Sequence, residues 1–438
     1  MRIDIAASLM DIRIFFLGML FMKSIILLIT IITFIIPQTI VPESFHISLT
    51  VPSDEQKTCL LEQKWNYTNT RGVQKVSLSG DGTRLALGCP ELILYFNTQT
   101  KIPEWTYDRP HDRVDSLDMT ENGEYFAVGL ELATLLLFKS EEKAPYWRQR
   151  TGGPVLCLSI SEDGEYLTFG TFYGSVYLAN GKERTVQWIH QVPNNQTIIA
   201  VTISDDGEVV AAGTSDNRVL IFKRDSPEPI FTFTTEGFIF SLDASPNGRY
   251  IACGSNDSSV YLFDSKKREL EWQFQTNRTV REVSISHDAR VIAAGSYDHY
   301  IYLLRRESGD LVWSFRTEGQ LKTVRITRDG GRVFAGGTDK YLRVLDVRTG
   351  RQIGLFKMSF WVNTLSPSSD GSFVAVGAGH QLFFIKLSLQ DQPISQQEKG
   401  EIKKSDDIFP IAVGAIFILS ISAIFIVKLS RSGLLRKR

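Results

Sequence analysis

Short apolar runs alternate with polar turns along most of this 438-residue chain. One copy, from Val280 to Phe315, reads VREVSIS, HDA, RVIAAGS, YDH, YIYLLR, RESGD, LVWSF. Runs rich in Val, Ile, Tyr and Phe, and far too short for a helix of period 3.6, predict β-strands. An Asp-Gly or Asn-Gly pair between the first two runs supplies the positive φ angles of a tight hairpin. Each unit therefore predicts a small antiparallel sheet, whose strands are called a to d.

The unit recurs with little drift. Its turn pairs begin at Asp81, Asn122, Asp163, Asp206, Asn247, Asp288, Asp329 and Asp370, spaced 41 residues apart except for one gap of 43. Only Asp288-Ala289 lacks the glycine. A second glycine follows each turn at Gly88, Gly129, Gly170, Gly213, Gly254, Gly295, Gly336 and Gly377. Four strands in a repeat of about forty residues predict a propeller blade. Strand a starts at Val73, Val114, Val155, Ile198, Ile239, Val280, Leu321 and Val362, so the expected fold is an all-β, eight-bladed propeller of four-stranded antiparallel blades.

Strand d carries Trp105, Trp147, Trp188, Phe231, Trp272 and Trp313, with Gly354 in the last slot. One spare copy, Lys64-Trp65-Asn66-Tyr67, precedes the first strand a, and no strand d follows Leu382–Lys386. The two deficits match. Residues 64–68 are expected to complete the blade made by Val362–Leu387 and close the ring, since an open seam would expose a sheet edge. A ring of seven blades would leave one repeat unpaired.

The ends differ from this middle. Residues 408–427 hold twenty residues without a charge, at 1.5 Å per residue roughly the 30 Å of bilayer hydrocarbon. Lys428, Arg431, Arg436, Lys437 and Arg438 follow, so the basic tail 428–438 is expected in the cytoplasm and the propeller outside. Residues 1–41 read as a signal peptide or signal-anchor, with Met22 a candidate true start. The expected order is thus this segment, a linker 42–63, the propeller 64–390, a polar linker 391–407, a transmembrane helix 408–427 and the tail. Terminal hydrophobic helices and a cell-membrane location belong to that expectation. Four Asn-x-Ser/Thr sequons, at Asn66, Asn195, Asn256 and Asn277, become usable on export.

Composition excludes more than it assigns. With 48 basic and 49 acidic residues, no bulk charge points to nucleic acid. Cys59, Cys89, Cys157 and Cys253 show no CxxC spacing, and the six histidines form no pair at metal-ligand spacing. Neither GxSxG, HExxH nor a phosphate loop occurs. No catalytic, cofactor-binding or metal residue is assigned, and no enzyme or small-molecule substrate is expected. An Asp recurs in the turn between strands b and c, at Asp216, Asp257, Asp298 and Asp339, where it is expected to accept backbone N–H bonds.

Gly213–Asp216, Gly254–Asp257, Gly295–Asp298 and Gly336–Asp339 each match the Gly-Ser/Thr/Gly-x-Asp turn with which the chain resembles the tryptophan–aspartate (WD) repeat propellers. That family's terminal Trp-Asp survives only as Phe263-Asp264 and Leu345-Asp346, and its Gly-His pair is absent. Gly309–Trp313 is similar to the Gly-x-x-x-Trp docking element of quinoprotein-type propellers. The resemblance implies a scaffold used for many tasks.

The reading that follows is a membrane-tethered, outward-facing module for protein–protein interaction or scaffolding, without cofactor, whose protein partner is unidentified. The alternatives are a quinoprotein-like dehydrogenase or a cofactor-free envelope assembly factor. In propellers that resemble this one, the partner surface carries the d–a and b–c loops. Here that face is expected to present His111, Arg113, Tyr173, Phe238, Tyr297, His299, Lys340, Phe360 and Trp361.

Overall fold

The a–b turns fold as the pairs dictate. In the fourth repeat Ser204 Oγ donates to Asp206 Oδ1 at 2.5 Å, the same oxygen accepts the Glu208 N–H at 3.0 Å, and Gly207 adopts φ 71°. Ala289 takes the same turn at φ 53°, which a Cβ opposes but does not forbid. The computed structural model describes residues 57–391, all within the second of two units, 1–55 and 56–438. Within it, each repeat from the third to the seventh forms one antiparallel sheet. In the fourth, for example, Ile198–Ile203 pairs with Val209–Thr214, then Arg218–Lys223, then Phe231–Thr234.

Eight separate blades are not what results. The described strands form seven hydrogen-bonded sheets, six of four strands and one of six. The six-stranded sheet holds Lys75–Leu78, Arg84–Asn97, Trp105–Met119, Tyr125–Leu130, Thr134–Lys139 and Trp147–Arg150. Here the first two sequence repeats are joined. Their b–c corner is Cys89-Pro90-Glu91, without the Asp of the later turns, and Pro90 pairs with Arg113 of the next repeat's entry. Pairing therefore runs on through the corner, with Glu91 and His111 at φ 62° and 60°. That sharing is why seven sheets leave no repeat unpaired.

Lys57–Thr68 pairs antiparallel with Gln381–Asp391 and completes the sheet begun by Val362–Pro367 and Phe373–Ala378. The innermost strands succeed one another around the ring, and Val362–Pro367 returns to Lys75–Leu78. Three devices hold neighbouring sheets together. The strand b glycine lets the next strand a approach: a Cβ on Gly213 would lie 2.5 Å from Ile239 Cγ2, and one on Gly377 would lie 2.5 Å from Val73 Cγ1. Strand d tryptophans reach forward, the Trp188, Trp272 and Trp313 indoles donating to the carbonyls of Arg224, Arg306 and Val347 at 2.8, 2.7 and 2.8 Å. Inner-strand side chains accept the next strand's N–H groups, as Ser241 Oγ does from Val283 at 3.0 Å and Ser366 Oγ from Leu78 at 3.0 Å. Between the sheets lie buried Phe126, Phe138, Phe169, Phe222, Phe263 and Phe334.

The membrane anchor expected from the ends is not supported. Among the described residues no helix is long and apolar enough to cross a membrane. Segments 1–41 and 408–427, read as signal and transmembrane helices, lie outside the described residues, as do most of the two linkers and the tail 428–438. No observation among the described residues supports the terminal hydrophobic helices, the contact with a bilayer through Ile408–Val427 or the cell-membrane location.

Candidate interaction site

Strand direction defines two faces. Strand a begins among the d–a and b–c loops and ends at the Asp-Gly turns, so the inner strands frame a channel with one mouth on each side. The residue before each turn pair edges the second mouth. There Arg328 reaches across from the seventh repeat to Glu162 at 2.8 Å, Asp205 at 3.3 Å and Glu121 at 3.7 Å. His287 Nδ1 stands 3.6 Å from Asp205, and Ser369 Oγ donates to Glu121. Burial raises the Glu121 and Asp205 carboxyls above their usual range, and Arg328 pulls the other way. This face is bridged by one guanidinium.

The nine residues named from the sequence lie in six places: five loops, two of which hold a pair of them, and the strand Trp105–Met119, which holds His111 and Arg113. Tyr173 is 53% exposed, packs edge-on against Phe172 and lies over Gly153, where a Cβ would come within 2.4 Å of its ring. Phe360 and Trp361, 45% and 51% exposed, form the entry to the last strand a. Phe360 meets His380 edge-on, and the Lys322 ammonium sits 4.9 Å above the Trp361 ring. Phe238 is half-buried against Phe240. Tyr297 and His299 are half-buried in one b–c turn, and Lys340 is exposed in the next. His111 is exposed beside Glu91, while Arg113 is held by Asp115 at 2.6 Å. None of the five aromatic members lines the channel cavity itself, Trp361 coming nearest through the cavity residue Lys322; His111 and Arg113 belong to the six-stranded sheet, where Arg113 is ion-paired with Asp115.

The b–c aspartates are structural. Asp257 accepts the Glu236 N–H at 3.1 Å and the Tyr261 hydroxyl at 2.9 Å; Asp298 does the same with Asn277 at 3.0 Å and Tyr302 at 2.7 Å. Asp339 and Arg343 lie 2.6 Å apart and buried, close as an ion pair but not aligned as a hydrogen bond. A tyrosine or arginine of strand c thus supplies the partner that the missing histidine would offer.

Inside the channel lie charges that the sequence reading passed over. The cavity, about 540 Å³, is lined by Lys75, Asp118, Asp243, Arg281, Glu282, Lys322 and Arg325 among apolar and hydroxyl residues. Their signal in the sequence is a charge at the second, third or fifth residue of an otherwise apolar strand a. Asp118 accepts the N–H groups of Ile160 and Met119, and Asp243 those of Ile285 and Ala244. Burial nonetheless pushes both carboxyls up to about 6. Arg325 pairs with Glu282 at 2.5 Å; burial works against its charge, but Glu282, Asp243 and Asp118 outweigh it. Lys75 is exposed to the channel, yet the protein packed around it lowers its pKa; Glu282 pulls the other way, and Arg281 and Arg325 lower it further. Cys89, Cys157 and Cys253 are free, and burial pushes the Cys89 and Cys157 thiols up to about 12.

Comparison with known proteins agrees with this architecture. A family model described as Outer membrane protein assembly factor BamB matches residues 256–377, and one described as WD domain, G-beta repeat matches residues 227–264. Each covers less than half of the chain. No curated protein matches. Among solved structures, the C-terminal WD40 domain of Sif2 is similar at 15% identity and a TM-score of 0.65, covering 75% of this chain and 99% of that one. That likeness establishes the fold alone. Neither matched description names a catalytic activity. Among the described residues, no group of three or more His, Cys, Asp or Glu side chains is arranged to hold a metal ion.

Proposed function

We propose that this chain is a non-catalytic protein-interaction propeller, an assembly factor or scaffold, whose partner docks on the face bearing the d–a and b–c loops. The observation that carries the reading is the contrast between the two mouths. Tyr173, Phe360 and Trp361 stand about half exposed on the loops of one side, whereas Arg328 ties the other mouth across the ring. Exposed aromatic side chains supply contact area at low entropic cost, which suits them to anchor an interface. The match to a protein described as an assembly factor supports this reading over that of a membrane-tethered module. The dehydrogenase alternative finds no support in the matched propeller types.

The test is a cross-linking pulldown from native extract with the chain and its Tyr173→Ala/Phe360→Ala/Trp361→Ala variant. Capture of a discrete partner by the parent, and its loss in the variant with an unchanged melting curve, is expected. Undiminished capture by the folded variant would reject this face.

A further inference from the structure

The second residue of strand a occupies a special place. In the sixth repeat Val280 pairs with Ser296 and Glu282 with Gly295, so the ladder passes over Arg281. The same slip passes over Lys322 in the seventh repeat, Phe240 in the fifth, Ile199 in the fourth and Leu156 in the third. A bulge of this kind re-aims a side chain, and all five residues line the channel cavity. Three consecutive repeats thus give an apolar arc and the next two a cationic arc, and Lys75 of the first repeat adds a third cation to the cavity lining.

The carboxylates that share the cavity with this arc are already engaged elsewhere. Asp118, Asp243 and Glu282 each accept a neighbouring strand's N–H, and Glu282 also pairs with Arg325. Among the described residues, Lys75, Arg281 and Lys322 make no ion pair. Lys322 hydrogen-bonds Asn363 Oδ1 at 3.2 Å, and the Arg281 guanidinium lies 4.9 Å over the Phe240 ring. Burial lowers the Lys322 pKa, with Arg281 adding to it, as it does for Lys75. An incoming carboxylate would relieve this crowding.

We propose that the channel mouth binds an acidic, apolar segment of a protein partner, with carboxylates on Lys75, Arg281 and Lys322 and apolar side chains on the arc of Leu156, Ile199 and Phe240. This rests on the reading of the chain as an interaction propeller and adds the chemistry of its partner. An extended segment points alternate residues to different sides, so one of alternating acidic and apolar residues can present each set to one of the two adjoining arcs. A free phosphate would satisfy the cations but leave the apolar arc uncovered.

Fluorescence anisotropy with the full-length chain tests it. The probes are a fluorescein-labelled peptide of alternating Glu and Leu, its Gln-Leu counterpart, and inorganic phosphate as competitor. The Glu-Leu peptide is expected to bind at least about tenfold tighter than the Gln-Leu peptide at low salt. Arg281→Gln/Lys322→Gln should abolish that preference, while Lys266→Gln at a distant exposed turn should keep it. Equal affinity for the two peptides, or an unchanged preference in the folded double variant, overturns the proposal. So does displacement by phosphate as complete as by unlabelled peptide. If the double variant still captures the partner whose capture the aromatic variant loses, the peptide proposal fails and the interaction reading stands.

Discussion

The Trp65 indole donates a 2.9 Å hydrogen bond to the Thr98 carbonyl, joining the chain's first described strand to the repeat that follows it. The same ring stacks between Phe96 and Phe384, at 5.6 and 5.2 Å between centroids. Phe384 belongs to the last sheet and Phe96 to the six-stranded one, so one buried side chain spans the seam.

Trp65→Ala therefore removes an indole hydrogen bond and two stacking partners at the point where the ring closes. A loss of about 3–5 kcal/mol is expected, as for other buried tryptophans. Urea denaturation followed by tryptophan fluorescence measures it, and a loss below about 1 kcal/mol would mean that the seam is held elsewhere.

Close approach at the strand b glycines makes a second prediction. In Gly213→Ala the new methyl must push Ile239, whose Cγ2 lies 2.5 Å from where it would sit. Overpacking of about 1–3 kcal/mol is expected. Gly330→Ala is a poor control, since its φ of 69° strains any side chain, whereas Gly152→Ala meets nothing nearer than 3.7 Å and should be nearly neutral. Similar losses for Gly213→Ala and Gly152→Ala would refute the packing role.

Stability should respond to pH through the channel carboxyls. Asp243 is raised by burial to about 6 from 3.8, so its stabilising contribution is full below the ordinary carboxyl range and lost as pH rises through about 6. Asp243→Asn keeps one oxygen, for either the Ile285 or the Ala244 N–H but not both, since different Asp243 oxygens accept them, and Arg325 keeps Glu282. The lost bond offsets part of the gain at every pH, but the variant's stability relative to the parent should be about 1–2 kcal/mol better near pH 7.5 than near pH 5, and this advantage should shrink on acidification. Denaturation at both values checks the sign; an advantage that grows on acidification contradicts it.

Much of this molecule was legible locally. VREVSIS and RVIAAGS declare strands because burial on a pleated sheet demands their composition, and Asp-Gly declares the turn between them. The interval of 41 residues then implies a propeller of four-stranded units. The count of separate sheets was not legible, because it depends on whether Pro90 pairs across to Arg113, a contact between repeats. The candidate face was read from loop position, which located Tyr173, Phe360 and Trp361 on exposed turns but could not foresee that Asp115 holds Arg113. Arg281 and Lys322 escaped notice for the opposite reason. They sit inside strands that read as core, and only the slipped ladder turns them toward the cavity.

Arg328 has a further consequence for whatever enters beside Trp361. Its three carboxylate partners belong to the second, third and fourth repeats, on the far side of the ring. The far end of the passage is therefore crossed by an ion-paired side chain. A polypeptide threading through the disc would have to break those pairs, whereas one that presents an end or a bent tip, and withdraws by the way it came, leaves them intact.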